Sequence, residues 1–134
     1  MVVQARLRRR VVLIGNVLAL VALTHRYLEK MRQKKSGTII NVSSTAGFQA
    51  IPYMATYAAT KAFVTSFSEA IAEESRPHGI TVTAVCPGPT ETNFFAASEI
   101  KDPVQVKGMQ TPEEVVERAL KAAKSGKSNV LSGW

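Results

Sequence analysis

The sequence predicts an α/β fold, a partial doubly wound parallel sheet with flanking helices, on three observations. Residues 38–43 and 80–85 are rich in β-branched side chains and almost continuously apolar, as strands covered on both faces are. The stretch between them, 56–76, reads as a helix, and a strand–helix–strand order implies a parallel crossover. A third strand-like run, 129–132, follows a further helical segment.

The elements follow in order. Residues 11–35 read as one helix whose first half is apolar nearly all round, suiting burial between a sheet and a partner. Lys30, Arg32, Lys34 and Lys35 crowd its end, where the dipole favours cations, and Gly37 is the expected stop. Residues 1–10 are basic, show no pattern of their own and are expected to fray. After the first strand, 45–56 is a loop broken by Gly47 and Pro52. It is expected to wall a substrate pocket. In helix 56–76, Phe63, Phe67, Ala70 and Ile71 form the expected packing stripe, and Ala58, Ala59 and Ala62 admit a neighbouring helix. Pro77 and Gly79 end it. Residues 89–110, with Phe94 and Phe95, show no period. Thr111, Pro112 and Glu114 spell a capped helix start, and Val115, Val116, Ala119, Leu120 and Ala123 mark its buried face.

Tyr57 and Lys61 are four apart, so they share one helix face. An ammonium beside a phenol lowers the phenol's pKa and readies it for proton exchange. Ser44, thirteen residues ahead of the tyrosine, could hydrogen-bond a substrate oxygen. Together these groups can move a proton on and off an alcohol or a carbonyl.

Three motifs occur in one order: Gly37 to Gly47 (GTIINVSSTAG), Tyr57 with Lys61, and the run from Ile80 into Cys86-Pro87-Gly88-Pro89-Thr90-Glu91-Thr92. In that order and at those spacings the chain resembles the short-chain dehydrogenase/reductase family over residues 16–92, and more loosely beyond. The resemblance implies a Rossmann-like fold and an NAD(P)(H)-dependent oxidoreductase. Hydride would pass between the nicotinamide and a small alcohol or carbonyl substrate. It casts Tyr57 as acid/base and as a cofactor contact, Lys61 as the group that tunes it and holds the nicotinamide ribose, and Ser44 as the substrate-orienting serine. Asn16, 28 residues before Ser44, stands where the family holds a proton-relay water; the alternative is a helix asparagine with only local hydrogen bonds. Pro87 and Gly88 match the turn near the nicotinamide. Thr90 and Thr92 match contacts to the carboxamide and phosphates. Residues 90–110 take the place of a substrate loop that excludes water. The family pairs helices across a dimer axis, which here points to a homo-oligomer through 11–35 and 56–76.

A dinucleotide site of this kind needs a glycine-rich turn ahead of a helix, so that backbone N–H groups meet the pyrophosphate. None precedes Asn16: Gly15 and Gly37 belong to no G-x-G-x-x-G run. The 134 residues therefore read as a single partial domain, the C-terminal half of a dehydrogenase with weak or no cofactor binding alone. A truncation, an alternative start, a gene fragment and a pseudo-enzyme acting only through helix-mediated association all fit.

The net charge of +7 is uneven: residues 1–35 carry nine Lys/Arg against Glu29, and the remainder carries eight against nine acids. Arg6, Arg8, Arg9 and Arg10 lack interleaved aromatics and any recognition motif, so nucleic acid is not expected as a partner. Cys86 is the single cysteine, which rules out an intrachain disulfide. A cytoplasmic location is expected. The competing reading is membrane targeting through residues 6–24, a basic stretch followed by an apolar run. That run is shorter than the ~20 residues a spanning helix needs. Neither His25 nor His78 has ligand-spaced partners, so no metal is expected.

Overall fold

The computed structural model of the chain describes residues 2–93 and 108–133. It opens with one continuous helical run: α1 (Val2–Leu13), a π-helical segment (Ile14–Ala19) and α2 (Leu20–Lys34). Strand β1 (Gly37–Val42) follows, then a 3₁₀ turn (Thr45–Phe48), α3 (Ala55–Ser75) and a second 3₁₀ turn (Arg76–His78). The chain continues through β2 (Ile80–Pro87), α4 (Pro112–Lys124) and β3 (Asn129–Ser132). The basic start, expected to fray, is helical from Val2. Helix α2 stops at Lys35, which takes a left-handed conformation (φ 54°), whereas Gly37 already belongs to β1. Phe94 and Phe95, at the centre of the expected substrate loop, lie outside the described residues.

The sheet is parallel throughout, in the order β1-β2-β3. Its register sets Val42 opposite Val85 and Pro87 opposite Ser132, so the strands end together at their carboxyl edge. Central β2 is buried from Val82 to Cys86, as a strand covered on both faces must be. Ile80 and Val82 join Leu28, Ile71 and Ala72 in the core, with Met31, Ile39 and Phe67 against it. Thr83, of the opposite parity, donates to Lys127 O at 2.7 Å. On that side α4 covers β2 with Ala119, Ala122 and Ala123. Its start is the capping box expected from sequence: Glu114 N donates to Thr111 Oγ1 and Thr111 N to Glu114 Oε2.

Helix α3 turns to the sheet a face that shares Ile71 and the partly buried Phe67 with the expected stripe but is otherwise built from Ser, Thr, Ala and Val, with Phe63 and Ala70 exposed. Its buried residues are Ala58, Thr60, Val64, Thr65, Ser68, Ile71, Ala72 and Ser75. A polar ladder joins that face to β1. Asn41 Nδ2 donates to Ser68 Oγ at 2.9 Å, Ser43 Oγ shares a 2.7 Å hydrogen bond with Thr65 Oγ1, and Ser43 Oγ donates to Lys61 O at 2.8 Å. Buried hydroxyls of this kind are stable because each finds a partner, and their small size lets helix and strand approach closely. Phe63 lies at the surface, stacked on Phe67 at 5.7 Å, and Phe67 meets His25 of α2 edge-on. The helix Arg8–Lys34, 27 residues, is long and apolar enough to cross a membrane. Within it Thr24 and Leu28 are buried against the rest of the fold.

Candidate active site

The carboxyl edge of the sheet brings three elements to one place. Beyond β1, Ser43 points back to α3 and Ser44 leaves the strand in an extended conformation. The Ser44 hydroxyl caps the 3₁₀ turn, accepting from Ala46 N at 3.1 Å, and lies 3.5 Å from Pro87 O at the end of β2. Tyr57 and Lys61 stand on the first turns of α3, with Lys61 Nζ 5.7 Å from the centre of the Tyr57 ring. Because the polar ladder fixes how α3 lies along β1, the two strand ends and the tyrosine face are held in one arrangement.

Electrostatics here are governed by burial. Desolvation raises the Tyr57 phenol above its ordinary value, and a hydrogen bond with Ser44 draws it partly back. Lys61 is lowered by burial, with Cys86 acting in the opposite sense. The expected lowering of the phenol by the ammonium is not what this geometry gives. Lys61 Nζ donates to Val42 O at 2.9 Å, which turns its charge toward the strand. The Cys86 thiol is raised by burial and hydrogen-bonded with Thr65.

The lysine shift has a consequence for stability. Folded Lys61 titrates below the ordinary 10.5 of an unfolded lysine. Between those values the unfolded chain binds more protons, so stability rises with pH through that window. Lys61→Met removes the effect. Thermal unfolding from neutral pH to 10.5 should show the midpoint difference moving in favour of the wild type as pH rises. Tyr57, shifted the other way, is present in both proteins and cancels. A difference that does not change with pH would mean that burial does not disfavour the ammonium.

Asn16 joins this site indirectly. It sits in the π-helical segment, a local irregularity often found at functional sites, and its Nδ2 donates to Thr60 Oγ1 at 3.1 Å. Thr60 Oγ1 in turn donates to Tyr57 O at 2.7 Å. Asn16 therefore braces the turn of α3 that carries the tyrosine. Thr90 follows the Pro87-Gly88 turn, its hydroxyl donating to Gly88 O at 2.9 Å. Thr92 is exposed and engaged in contacts of its own. Sequence reasoning missed two residues, Thr60 and Gln110. The second is a buried glutamine bridged to Thr90, and its position just before the capped start of α4 was the one available signal.

An open apolar groove of about 670 Å³ runs along Phe48, Ile51, Pro52, Ala55 and Ala59. Neither Ser44, Tyr57 nor Lys61 lines it, so the wall that loop 45–56 forms there is not the wall of the tyrosine site. Among the described residues no group of three His, Cys, Asp or Glu could hold a metal.

Residues 7–102 match the short chain dehydrogenase family. The chain belongs to that family. It is 30% identical over 117 residues to the ketoacyl reductase HetN of Nostoc sp., a match covering 87% of this chain and 40% of that protein. It is 34% identical over 128 residues to the very-long-chain 3-oxoacyl-CoA reductase of Macaca fascicularis, covering 89% of this chain and 38% of the relative. Among solved structures, a short-chain dehydrogenase from Sphingobium yanoikuyae in complex with NADPH superposes with a TM-score of 0.80 at 29% identity, covering 89% of this chain and 46% of that one. The chain thus spans less than half the length of these family members.

The donor set fits the nicotinamide end of the dinucleotide. An ammonium has three N–H donors, and Lys61 spends one on Val42 O. The others can serve ribose hydroxyls. No G-x-G-x-x-G run, of the kind that meets the pyrophosphate, occurs in the sequence.

Proposed function

We propose that this chain carries the catalytic half of an NAD(P)(H)-dependent oxidoreductase of the short-chain type. The observation behind the reading is the meeting of Ser44, Tyr57 and Lys61 at the carboxyl edge of a parallel sheet, where open α/β sheets place their ligands. Tyr57 gives or takes the proton at the substrate oxygen. Its raised pKa keeps the phenol protonated, as a donor to a carbonyl must be. The Ser44 hydroxyl, already within reach of the phenol, holds the same oxygen. Lys61 holds the ribose of the nicotinamide, and Asn16 braces the catalytic turn through Thr60; the relay water assigned to Asn16 by resemblance belongs to this reading too. When bound, the nicotinamide supplies or takes the hydride.

The carbonyl substrate best supported is an acyl ketone, because the relatives include ketoacyl and 3-oxoacyl-CoA reductases. The test joins this chain to the first half of a family domain and follows NADPH oxidation with a 3-oxoacyl thioester. Turnover dependent on Tyr57 is expected. Turnover that survives loss of both Tyr57 and Ser44 would overturn the reading.

A second reading is association, favoured by the exposed apolar side chains of the long helix. Val11, Leu13, Ile14, Leu18 and Leu23 are exposed there, as is Phe63 of α3, and β1 bonds to a strand on one side alone among the described residues. Exposed apolar patches and open strand edges invite partners. A homo-oligomer through helices 11–35 and 56–76 would cover them. Sedimentation at low micromolar concentration should show dimers or larger species, whereas a cooperatively folding monomer would exclude this.

A further inference from the structure

Gln110 is 7% exposed and lies against the turn that follows β2. Its main chain accepts from Glu91 N at 3.0 Å and donates to Pro89 O at 3.2 Å. Its side chain is placed by Ser132: Nε2 donates to Ser132 O at 3.0 Å, and Oε1 accepts from Ser132 Oγ. The carbonyl Ser132 O can only accept, so its contact with Nε2 fixes which end of the amide faces which way, and the Ser132 hydroxyl suits that orientation by donating. Gly133 makes room for it, since a Cβ there would stand 2.6 Å from Gln110 Cδ.

Thus oriented, Nε2 also donates to Thr90 Oγ1 at 3.3 Å, while Thr90 Oγ1 donates to Gly88 O at 2.9 Å. A hydroxyl has one hydrogen and two acceptor lone pairs. The hydrogen is committed to Gly88 O and one lone pair to Gln110. What remains is a single acceptor. The carboxamide nitrogen of a nicotinamide is a donor of matching polarity; a carboxylate in its place is not.

We propose that Gln110 is a positioning residue that fixes the Thr90 hydroxyl as a hydrogen-bond acceptor for the nicotinamide carboxamide. The inference rests on the oxidoreductase reading above and on the place the family resemblance gives the Pro87-Gly88 turn and Thr90, beside the nicotinamide. It assigns Gln110 a part in distinguishing amide from acid, without contact to the ligand itself.

The experiment titrates the full chain with nicotinamide mononucleotide and with nicotinic acid mononucleotide, following backbone amide shifts by NMR. The wild type should prefer the amide by about tenfold, the scale of one hydrogen bond kept against one left unmade. Gln110→Met, which keeps length and loses both polar ends, should reduce that preference severalfold toward parity. Thr90→Val should do the same, and the double variant should lose nothing more. A purely structural role would weaken both ligands equally and leave the ratio intact. Should Gln110→Met fail to fold, Thr90→Val and Gln110→Glu carry the test, the latter keeping the acceptor for Ser132 Oγ, removing the Nε2 donor to Thr90 and lowering the ratio. A Gln110→Met or Gln110→Glu protein that keeps the wild-type preference overturns the proposal. Equal binding of both ligands by the wild type overturns the proposal and leaves the oxidoreductase reading standing. Binding of neither overturns the proposal, while the oxidoreductase reading stands or falls by the turnover of the joined protein.

Discussion

Tyr57→Phe, in this chain joined to the first half of a family domain, is expected to lower turnover by ~10²–10⁴-fold, the usual worth of a positioned acid/base. The ring keeps its place on α3 and only the hydroxyl goes, so the fold should be untouched. In the proposed reading the change removes the hydroxyl that exchanges a proton with the substrate oxygen, the phenol hydrogen-bonded with Ser44. The loss should appear in kcat as well as in kcat/KM, because proton transfer belongs to the transition state rather than to substrate binding. Steady-state NADPH oxidation measures both. A loss confined to KM would make Tyr57 a binding residue and leave the acid/base unassigned.

The second large effect is expected at Gly88. Its N–H donates to Ser132 O at 2.7 Å, and a Cβ added there would overlap the carbonyl oxygen of Gly133. Both obstacles are backbone, so no side chain can rotate out of the way. Gly88→Ala must push the end of β2 away from the end of β3. That separation also pulls Ser132 from Gln110 and slackens the turn beneath Thr90. Overpacking of this sort costs about 1–3 kcal/mol, and the upper end is expected because several hydrogen bonds move together. Urea unfolding of the two proteins measures it, and an unchanged midpoint would show that the two strand ends are free to part.

Much of this arrangement was legible in the chain. The β-branched runs became β1 and β2, and Thr111 with Glu114 became a capping box, because those signals are local. The pair Tyr57 and Lys61 was legible for the same reason: one helix turn fixes its spacing. Ile71 and Phe67 of the expected stripe do reach the core, but the Ser and Thr part of the buried face of α3 was not legible. Its partners, Asn41 and Ser43, lie 27 and 22 residues from Ser68 and Thr65. A stripe of Ser and Thr signals a core face only once those partners are known, and a stripe of Phe is the more obvious candidate. The direction of the Lys61 ammonium was equally hidden, because the competing acceptor, Val42 O, is a backbone atom on another element. Gln110 depends on Ser132, 22 residues away. The π-helical segment around Asn16 left no mark in composition or periodicity.

In the proposed reading these residues hold the nicotinamide end of a dinucleotide, and most of the pyrophosphate contacts come from a glycine-rich turn that the sequence does not contain. Calorimetric titration of NADPH tests it most directly, into this chain and into the same chain joined to a first half bearing a glycine-rich turn. The expected result is binding weaker than micromolar by the chain itself and micromolar binding once the phosphate cradle is supplied. Micromolar binding by the chain itself, or no gain on joining, would contradict it.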